Sequence, residues 1–348
     1  MTLRIGVRSV GVGDSYLDHA REAERLGAAS IWTAEAWGID AFTPLAAIAT
    51  VTDRIMLGSG IAQLGARTPA NLAMTAMGVQ AISRGRLLLG VGTSGPQVME
   101  GWHGVRFDPA IARTRETIEI VRQIVAGDRL AYHGTVHQLP LPDSAGRSLR
   151  SAATVSPIPI YNASLGPANL RLTGALADGW VGNSFFCETA DAFFDPIRTG
   201  AVTVGRTLDD IDLMVAVSCE LTDDVEEAGR RHAAGFAFTF GAMGSAGKNF
   251  YNEAFARQGH GEDVAEVQRL WLTGDRAAAA ERVPIEIGLG ANLIGPPDEI
   301  RRRLRQYRDC GVNTLLINPM GDTLDRQLDG LGQLLDLVED VNAETGAQ

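Results

Sequence analysis

Short apolar runs alternate with amphipathic helical patterns along this chain of 348 residues. The runs are nearly continuous in apolar character, which is typical of strands buried on both faces, and each precedes a segment of helical periodicity. Eight such units predict a parallel sheet covered by helices, and at this length they favour an α/β fold closed as a (β/α)8 TIM barrel. The predicted strands are Leu3–Val7, Ser30–Thr33, Arg54–Gly58, Arg86–Val91, Ile158–Asn162, Gly179–Gly182, Ile211–Cys219 and Val312–Ile317.

Two stretches interrupt this alternation. The first, at about 128–156, contains the sequence AYHGTVHQL and predicts a hairpin around Gly134. The second, at about 223–295, is mostly helical and lies between the seventh and eighth predicted strands. Neither stretch has the composition of a flanking linker. Residues 1–348 are therefore interpreted as a single barrel domain with two insertions.

Composition excludes some classes of partner. Lys and Arg number 31 against 42 acidic residues, a net charge of -11, which argues against nucleic acid and against an anionic membrane surface. A small anionic ligand bound by backbone dipoles stays possible. The cysteines Cys187, Cys219 and Cys310 lie far apart in the sequence and predict reduced thiols in a cytoplasmic protein. Neither a signal peptide nor an apolar run of membrane-spanning length is found in the sequence.

Glycines and uncharged hydrogen-bonding residues follow six of the predicted strands, at the barrel end where active sites lie. With one carboxylate, and without a Ser-His-Asp set, this ring suits a planar cofactor with polar edges better than hydrolysis. The alternative is that these are ordinary turn residues. The ring comprises Glu35, Gly60, Ile61, Gln63, Thr93, Ser94, Asn162, Ser164, Asn183, Ser184 and Asn318.

The turn after the fifth predicted strand is a candidate anion site. Ser164 and Leu165 lead into Gly166, which allows close backbone approach, and Pro167 suits the first position of a helix. Free amides at such a helix start, together with the helix dipole, favour a phosphate group, and the Ser164 hydroxyl could add a hydrogen bond. An ordinary Gly-Pro helix start is the alternative.

Two more side chains are candidates for a catalytic or ligand-binding role. His103, in the sequence GWHG after the fourth predicted strand, could donate a proton, or it could only pack a loop. Lys248, in KNFYN, could reach an anionic substrate or cofactor tail, or it could be a solvated lysine. His133 and His137 lie four residues apart in the predicted hairpin and are interpreted as surface residues, so no metal site is predicted.

Several of these stretches together resemble the luciferase-like monooxygenase superfamily, and within it the coenzyme F420-dependent oxidoreductases. The resemblance covers most of the chain at the expected spacing. The stretches that carry it are IWTAEAWGIDAFTPLAAIA, RIMLGSGIAQLGARTPANLAMTA, GRLLLGVGTSGPQVMEGWHGVRF, RTRETIEIVRQI, PIYNASLGPANLRLTGALADGWVGN and LIGPPDEIRRRLRQYRDCGVNTLLI.

The resemblance implies specific roles at the barrel mouth. The Gly60–Ile61 bond matches a non-proline cis peptide in a bulge behind the cofactor ring. The turn Gly166–Ala168 matches the cofactor-phosphate site. Glu35 matches an acidic residue near the ring, which a histidine follows in the sugar-phosphate dehydrogenase branch. Here Ala36 takes that place, and Pro96 falls where the same branch has a glutamate, so a sugar-phosphate substrate is not favoured.

The resemblance thus implies reversible hydride transfer between coenzyme F420 and a small organic substrate, in a homodimer formed through the helices beside the second and third strands. Glu35, His103 or bound water would supply the proton. An FMN-dependent monooxygenase on the same barrel is the alternative, and a barrel that only binds a flavin-like ligand is a third possibility. The implied cofactor-binding residues are Glu35, Gly60, Ile61, Gln63, Thr93, Ser94, Ser164, Leu165, Gly166, Pro167 and Ala168.

Overall fold

A computed structural model describes residues 2–243, 249–319 and 321–344. Lys248, one of the candidate residues, lies outside these ranges. The strands of the described residues are β1 (Arg4–Arg8), β2 (Ser30–Thr33), β3 (Met56–Ser59), β4 (Ala62–Gln63), β5 (Leu87–Gly92), β6 (Tyr132–His133), β7 (Gln138–Leu139), β8 (Ile160–Ala163), β9 (Gly179–Gly182), β10 (Asp212–Leu221), β11 (Leu293–Gly295) and β12 (Thr314–Asn318).

Helices follow most of these strands, and none in the described ranges is both long and apolar enough to cross a membrane. The helices are α1 (Tyr16–Leu26), α2 (Phe42–Ala49), α3 (Pro69–Ile82), α4 (Pro96–Gly101), α5 (Ala110–Val125), α6 (Pro167–Leu176), α7 (Asp191–Val202), α8 (Val225–Ala242), α9 (Phe250–Phe255), α10 (Gly261–Leu272), α11 (Arg276–Arg282), α12 (Ile285–Gly290), α13 (Pro297–Cys310) and α14 (Leu324–Ala343).

Eight parallel strands close into a ring. Its order is β1, β2, β3, β5, β8, β9, β10 and β12, and β12 pairs in parallel with β1 to complete it. The prediction of a (β/α)8 TIM barrel is confirmed. Because parallel strands place their carboxyl ends at one edge, the residues after β2, β3, β5, β8, β9 and β12 surround a common mouth.

Three elements were not predicted. β4 resumes pairing with β5 after a bulge at the end of β3. β11 pairs in parallel with the end of β10, outside the ring. The short helix α4 begins at Pro96, directly after Gly95. Each of these elements is six residues or shorter, too short for apolar periodicity to distinguish it from a loop.

The turn of the hairpin β6–β7 is joined to the barrel by a buried side chain, and the Tyr132 hydroxyl adds a hydrogen bond to Glu119 of α5. Glu116 of α5 accepts hydrogen bonds from the backbone amides of Thr135, Val136 and His137 in the hairpin turn. A side chain on Gly134 would collide with the same carboxylate. The hairpin therefore depends on a glycine and a glutamate that lie far apart in sequence.

The helices between β10 and β11 have an apolar core of their own. Phe240 of α8 packs against Phe255 of α9 with ring centroids 4.7 Å apart, and Val267 of α10 and Ile287 of α12 belong to the same buried cluster. Between α9 and α10 the segment Ala256–His260 is kinked, with Gly259 at a φ of 98°. This kink turns the segment's side chains towards the barrel mouth, as described below.

The three cysteines are free thiols, as predicted. Cys219 is buried, whereas Cys187 and Cys310 are half-buried, so only the first is a core residue. The Cys310 thiol donates to the Tyr307 carbonyl oxygen at 3.3 Å.

Together with Leu88, Tyr161, Val181, Met214 and Leu316, the indole of Trp32 forms the buried cluster inside the barrel. This side chain is 1% exposed, and its Nε1 donates to the Ser30 hydroxyl. Glycines on the surrounding strands leave room for the ring: a Cβ on Gly58 would lie 2.1 Å from the indole, and one on Gly90 would lie 3.2 Å from it. Trp32 thus forms a floor below the mouth, and the surrounding glycines are required by the close approach of the ring.

Adding a methyl group at this floor should destabilise the fold. Gly58→Ala places a Cβ inside the contact distance of a rigid, buried indole, so we expect the free energy of unfolding to fall by about 1–3 kcal/mol. Chemical denaturation measures this loss. The matched control is Gly235→Ala on the exposed face of α8, where a Cβ meets nothing within 4 Å, and a gain of about 0.5–1 kcal/mol is expected there. Equal stability of the two variants would contradict the close packing around Trp32.

Candidate functional site

The mouth of the barrel has a floor of small and apolar residues. The Gly60–Ile61 peptide bond is cis, as the resemblance implies, and the Gly60 amide donates to the Thr33 carbonyl oxygen at 2.7 Å. A Cβ on Gly92 would lie 2.8 Å from the Ile61 side chain and 3.3 Å from that of Ala163. The absence of a side chain at Gly92 therefore leaves a continuous apolar surface across β3, β5 and β8, on which a flat ring could lie.

The N-terminus of α6 is an uncapped helix start that opens to solvent. Its first intrahelical hydrogen bond runs from the Leu170 amide to the Gly166 carbonyl, so the amides of Ala168 and Asn169 have no intrahelical acceptor. Gly166 supplies no capping side chain, and a Cβ on it would meet nothing within 4 Å. Helix α3 also begins with a proline, but there the Thr68 side chain accepts from a first-turn amide.

Acidic residues do not complement the α6 terminus either. The first turn of α6 contains no acid, whereas α13, which also lacks a side-chain cap, has Asp298 and Glu299 in its first turn. Free amides and an unneutralised positive dipole end together favour an anion. The predicted anion-binding turn at Leu165–Ala168 therefore has the expected local geometry.

The Ser164 hydroxyl faces inward, whereas the sequence suggested that it could donate a hydrogen bond to a bound anion. The Thr173 hydroxyl has one hydrogen and donates it to the Asn169 carbonyl, so in the 2.8 Å contact between the two hydroxyls Ser164 is the donor. Ser164 is 4% exposed. Its hydrogen stabilises the turn and is not available to donate to a bound anion.

Arg257, in the kinked segment after α9, approaches the same turn and was missed in the sequence. Its Nη2 donates to the Leu165 carbonyl at 2.6 Å, while its Nε is buried and has no hydrogen-bond partner. Burial lowers the pKa of Arg257, an effect partly offset by Glu253. No carboxylate in the described ranges forms an ion pair with it, so a guanidinium group stands beside the free amides of α6.

Gln258 fixes the position of Arg257 relative to the barrel. Its Nε2 donates to the Ser184 carbonyl at 2.6 Å, and its Oε1 accepts from the Phe186 amide at 3.0 Å. The segment after α9 is thereby attached to the ends of β8 and β9. No local sequence pattern pointed to this contact, because it joins residues more than 70 positions apart.

The Glu35 carboxylate is fully engaged. It accepts from the Ala41 amide at 3.0 Å, from the Gln63 amide at 3.3 Å and from Arg67 Nη1 at 2.8 Å, and its side chain is 6% exposed. A carboxylate that accepts three hydrogen bonds joins the loops after β2 and β3. This geometry suits a positioning role better than proton donation.

His103 is connected to Glu35 through Gln63. The Gln63 Nε2 donates to the carbonyl oxygens of Glu35 and Ala36, so its Oε1 faces the His103 Nε2 at 2.6 Å and must accept from it. His103 is thereby assigned the tautomer with a hydrogen on Nε2. Its Nδ1 has no hydrogen-bond partner among the described residues and is available to accept a proton.

Two serines at the mouth have left-handed backbone conformations. Ser94, after β5, has a φ of 56°, and Ser184, after β9, has a φ of 58°. Such values cost of order 1 kcal/mol for a residue with a Cβ and tend to occur at functional sites. The Thr93 hydroxyl donates to the Ser94 carbonyl at 3.3 Å, a bond within the loop.

Comparison with known proteins supports this description. A family model described as luciferase-like monooxygenase matches residues 7–314. A Mycobacterium tuberculosis protein provisionally named coenzyme F420-dependent oxidoreductase is 33% identical over 90% of this chain and 93% of its own.

Two solved structures are similar in fold. The coenzyme F420-dependent tetrahydromethanopterin reductase of Methanopyrus kandleri has a TM-score of 0.77 at 22% identity, covering 96% of this chain and 98% of its own. An F420-dependent secondary alcohol dehydrogenase, solved with an F420-acetone adduct, has a TM-score of 0.74 at 16% identity, covering 97% of this chain and 99% of its own.

The hydrogen bonds that Gln63 forms with Glu35, Ala36 and His103 can be tested by substitution. Gln63→Leu should lower the free energy of unfolding by about 1–2 kcal/mol, because it leaves the His103 N–H and two partly buried carbonyls without their partner. Gln97→Leu, at an exposed position of α4, is the control and should change stability by less than about 0.5 kcal/mol. The ¹⁵N NMR shifts of His103 should report the tautomer protonated on Nε2, and the Nδ1-protonated tautomer would refute the assignment.

Proposed function

Because this chain belongs to the luciferase-like monooxygenase family, we propose that it is a coenzyme F420-dependent oxidoreductase, transferring hydride between the deazaflavin and a small organic substrate. The observation that carries the proposal is the uncapped start of α6, where the free Ala168 and Asn169 amides adjoin Arg257. The relative provisionally named as an F420-dependent oxidoreductase supports the choice of cofactor.

The residues at the mouth fit such a cofactor. The amides of Ala168 and Asn169, with Arg257, would bind its phosphate. The apolar surface of Ile61, Gly92 and Ala163 would support its ring, because a Cβ at Gly92 would fill the space between the two side chains. When bound, a deazaflavin supplies a ring carbon that gives or takes a hydride in a two-electron step, with little reaction with oxygen.

The chain's own residues would position the ring and transfer the proton. Glu35 joins the loops after β2 and β3, so it would maintain the shape of the floor without donating a proton. His103 is better suited to proton transfer because its Nδ1 is free while Nε2 is fixed by Gln63. We assign proton transfer to His103 and a positioning role to Glu35.

We treat the barrel and its two insertions as one domain. This is supported by the hydrogen bonds of Arg257 and Gln258 to the ends of β8 and β9, and by those of Glu116 to the hairpin turn. The substrate is a small molecule. The cytoplasmic location and the absence of nucleic-acid and membrane partners stay predictions.

Titration with each cofactor tests the proposal. The apoprotein is titrated with F420 and, separately, with FMN, and binding is followed by the change in cofactor absorbance. Saturable binding of F420 with weak or no binding of FMN is expected. Tight FMN binding without F420 binding would instead support the FMN-dependent monooxygenase. Binding of F420 without turnover of any acceptor would support the barrel that only stores its ligand.

Ala168→Glu separates the effect on the phosphate site from an effect on stability. A carboxylate in the first turn of α6 repels a bound phosphate but interacts favourably with the helix dipole. We therefore expect the F420 dissociation constant to rise about tenfold or more, with the free energy of unfolding unchanged or higher. Ala168→Gln, of similar size without the charge, is the control. If both variants bind F420 equally well, the phosphate does not lie at this helix start.

We also propose a homodimer formed through the elements beside β2 and β3. The support is a set of large apolar side chains that stay exposed there: Trp37 at 58%, Ile39 at 55%, Met74 at 66% and Ile82 at 51%. Exposed apolar residues grouped on neighbouring elements are typical of subunit interfaces.

Met74→Glu should dissociate this dimer, because a two-fold axis would bury the new charge twice. Light scattering after size-exclusion chromatography should show a dimer for the wild type and a monomer for the variant at micromolar concentration. Val202→Glu, at a residue of α7 that is 65% exposed, is the control and should stay dimeric. A monomeric wild type, or a dimer unaffected by Met74→Glu, would contradict the proposal.

A further inference from the structure

Two arginines of β1 face the barrel lumen, and only one has an acidic partner. Side chains alternate along a strand, so Arg4, Gly6 and Arg8 share one face. Gly6 lies against Ser30 and Trp32 in the lumen. At the closed end of the barrel, Arg4 forms a 2.9 Å ion pair with Asp212.

Arg8 lies at the open end and lacks such a partner. Its Nη1 contacts the Gly60 carbonyl at 3.4 Å, a long hydrogen bond, and no carboxylate among the described residues pairs with it. A guanidinium has five N–H donors, so most of these donors have no protein acceptor. Burial lowers the pKa of Arg8, and Tyr251 acts in the opposite direction. Arg8 is half-buried, and a guanidinium held there without a counter-charge among the described residues favours a ligand that supplies the charge.

Tyr251 of α9 adds a neutral donor beside Arg8. The two groups are close enough for each to influence the pKa of the other. Burial raises the pKa of Tyr251, an effect that Arg8 partly offsets, so the phenol stays protonated at neutral pH. Its hydroxyl has no hydrogen-bond partner in the described ranges. The Arg8 guanidinium and the Tyr251 phenol therefore lie within electrostatic range of each other, and the phenol hydroxyl has no acceptor among the described residues.

This pair lies across the barrel from the proposed phosphate site. In the ring, β1 is four strands from β8 in either direction, so the two strands are diametrically opposite. A cofactor with its phosphate at the start of α6 and its ring over Ile61 would extend across the mouth. Only the ring end of the cofactor would then approach Arg8. Neither its phosphate nor the chain beyond the phosphate can occupy the Arg8 site.

We infer that Arg8 and Tyr251 bind a carboxylate group of the substrate, so that the substrate class is a small monocarboxylic acid. One guanidinium balances one negative charge, and its planar fork matches the two oxygens of a carboxylate. A phosphate dianion would require a further cation that the described residues do not place there. The inference rests on the proposed function, because it identifies the acceptor that occupies the mouth beside the cofactor ring.

Matched acids and amides test this inference. Benzoate and benzamide, and separately crotonate and crotonamide, are titrated into the F420-loaded protein, with binding followed by calorimetry. We expect each acid to bind about tenfold or more tightly than its amide, as a charge-assisted hydrogen bond implies. Arg8→Gln should abolish this preference, Arg8→Lys should retain part of it, and Tyr251→Phe should weaken the acids but not the amides.

Other results would overturn the inference. These are equal binding of acid and amide, no binding of either acid at millimolar concentration, or a preference for the acid that Arg8→Gln leaves intact. Loss of F420 affinity in Arg8→Gln with an unchanged acid-to-amide ratio would assign Arg8 to the cofactor ring. The wild-type F420 titration comes first and is independent, so a failure of the proposed function is distinguished from a failure of the carboxylate site. Denaturation curves of Arg8→Gln and Arg8→Lys verify that both variants fold.

Discussion

The packing of the Trp32 indole inside the barrel determines the depth and shape of the mouth. Trp32 occupies the lumen beside Gly58, where a Cβ would collide with the indole, and a Cβ on Gly90 would collide with the Ser59 carbonyl oxygen. Because the lumen is filled at this level, a ligand cannot descend into it. The bulge with the cis Gly60–Ile61 bond lies directly above, with the Gly60 amide bonded to the strand that carries Trp32. The flat apolar floor is thus a consequence of a filled interior.

The charges around this floor are divided between those that are already paired and those that are not. Glu35 and Arg67 neutralise each other while joining two loops. Arg8 and Arg257 are not neutralised by any carboxylate in the described part of the chain, and they occupy opposite walls. Electrostatic stabilisation is strongest where donors are fixed before the ligand arrives. Under the two proposals above, these fixed donors would bind two separate anionic groups on opposite sides of the mouth.

Much of the fold could be predicted from the sequence because local signals and tertiary packing agree. Helices α1 and α3 have the predicted bounds: α1 ends before Gly27, and α3 begins at Pro69. The strands β4 and β11 were missed because tertiary pairing creates them, and α4 was missed because it is only six residues long. At the site, the cis Gly60–Ile61 bond matched the sequence-based expectation, whereas anion binding at the start of α6 stays a prediction. Arg257 and Arg8 were not among the predicted site residues. Their significance depends on the absence of a neighbouring carboxylate, which only the three-dimensional structure can reveal.

The same reasoning explains why Glu35 looked catalytic and Arg8 did not. An acid in a loop after a barrel strand suggests chemistry only while its partners are unknown, and Arg67 together with two backbone amides removes that suggestion. An arginine within a strand looks structural, and Arg4 is structural because Asp212 pairs with it. Four residues further along the same face, Arg8 contacts the Gly60 carbonyl oxygen, lies within electrostatic range of Tyr251 and pairs with no carboxylate among the described residues. Under the proposed function, a fixed cation opposite the phosphate would orient an acidic substrate over the ring and keep the two anions apart, which would reduce the repulsion between them.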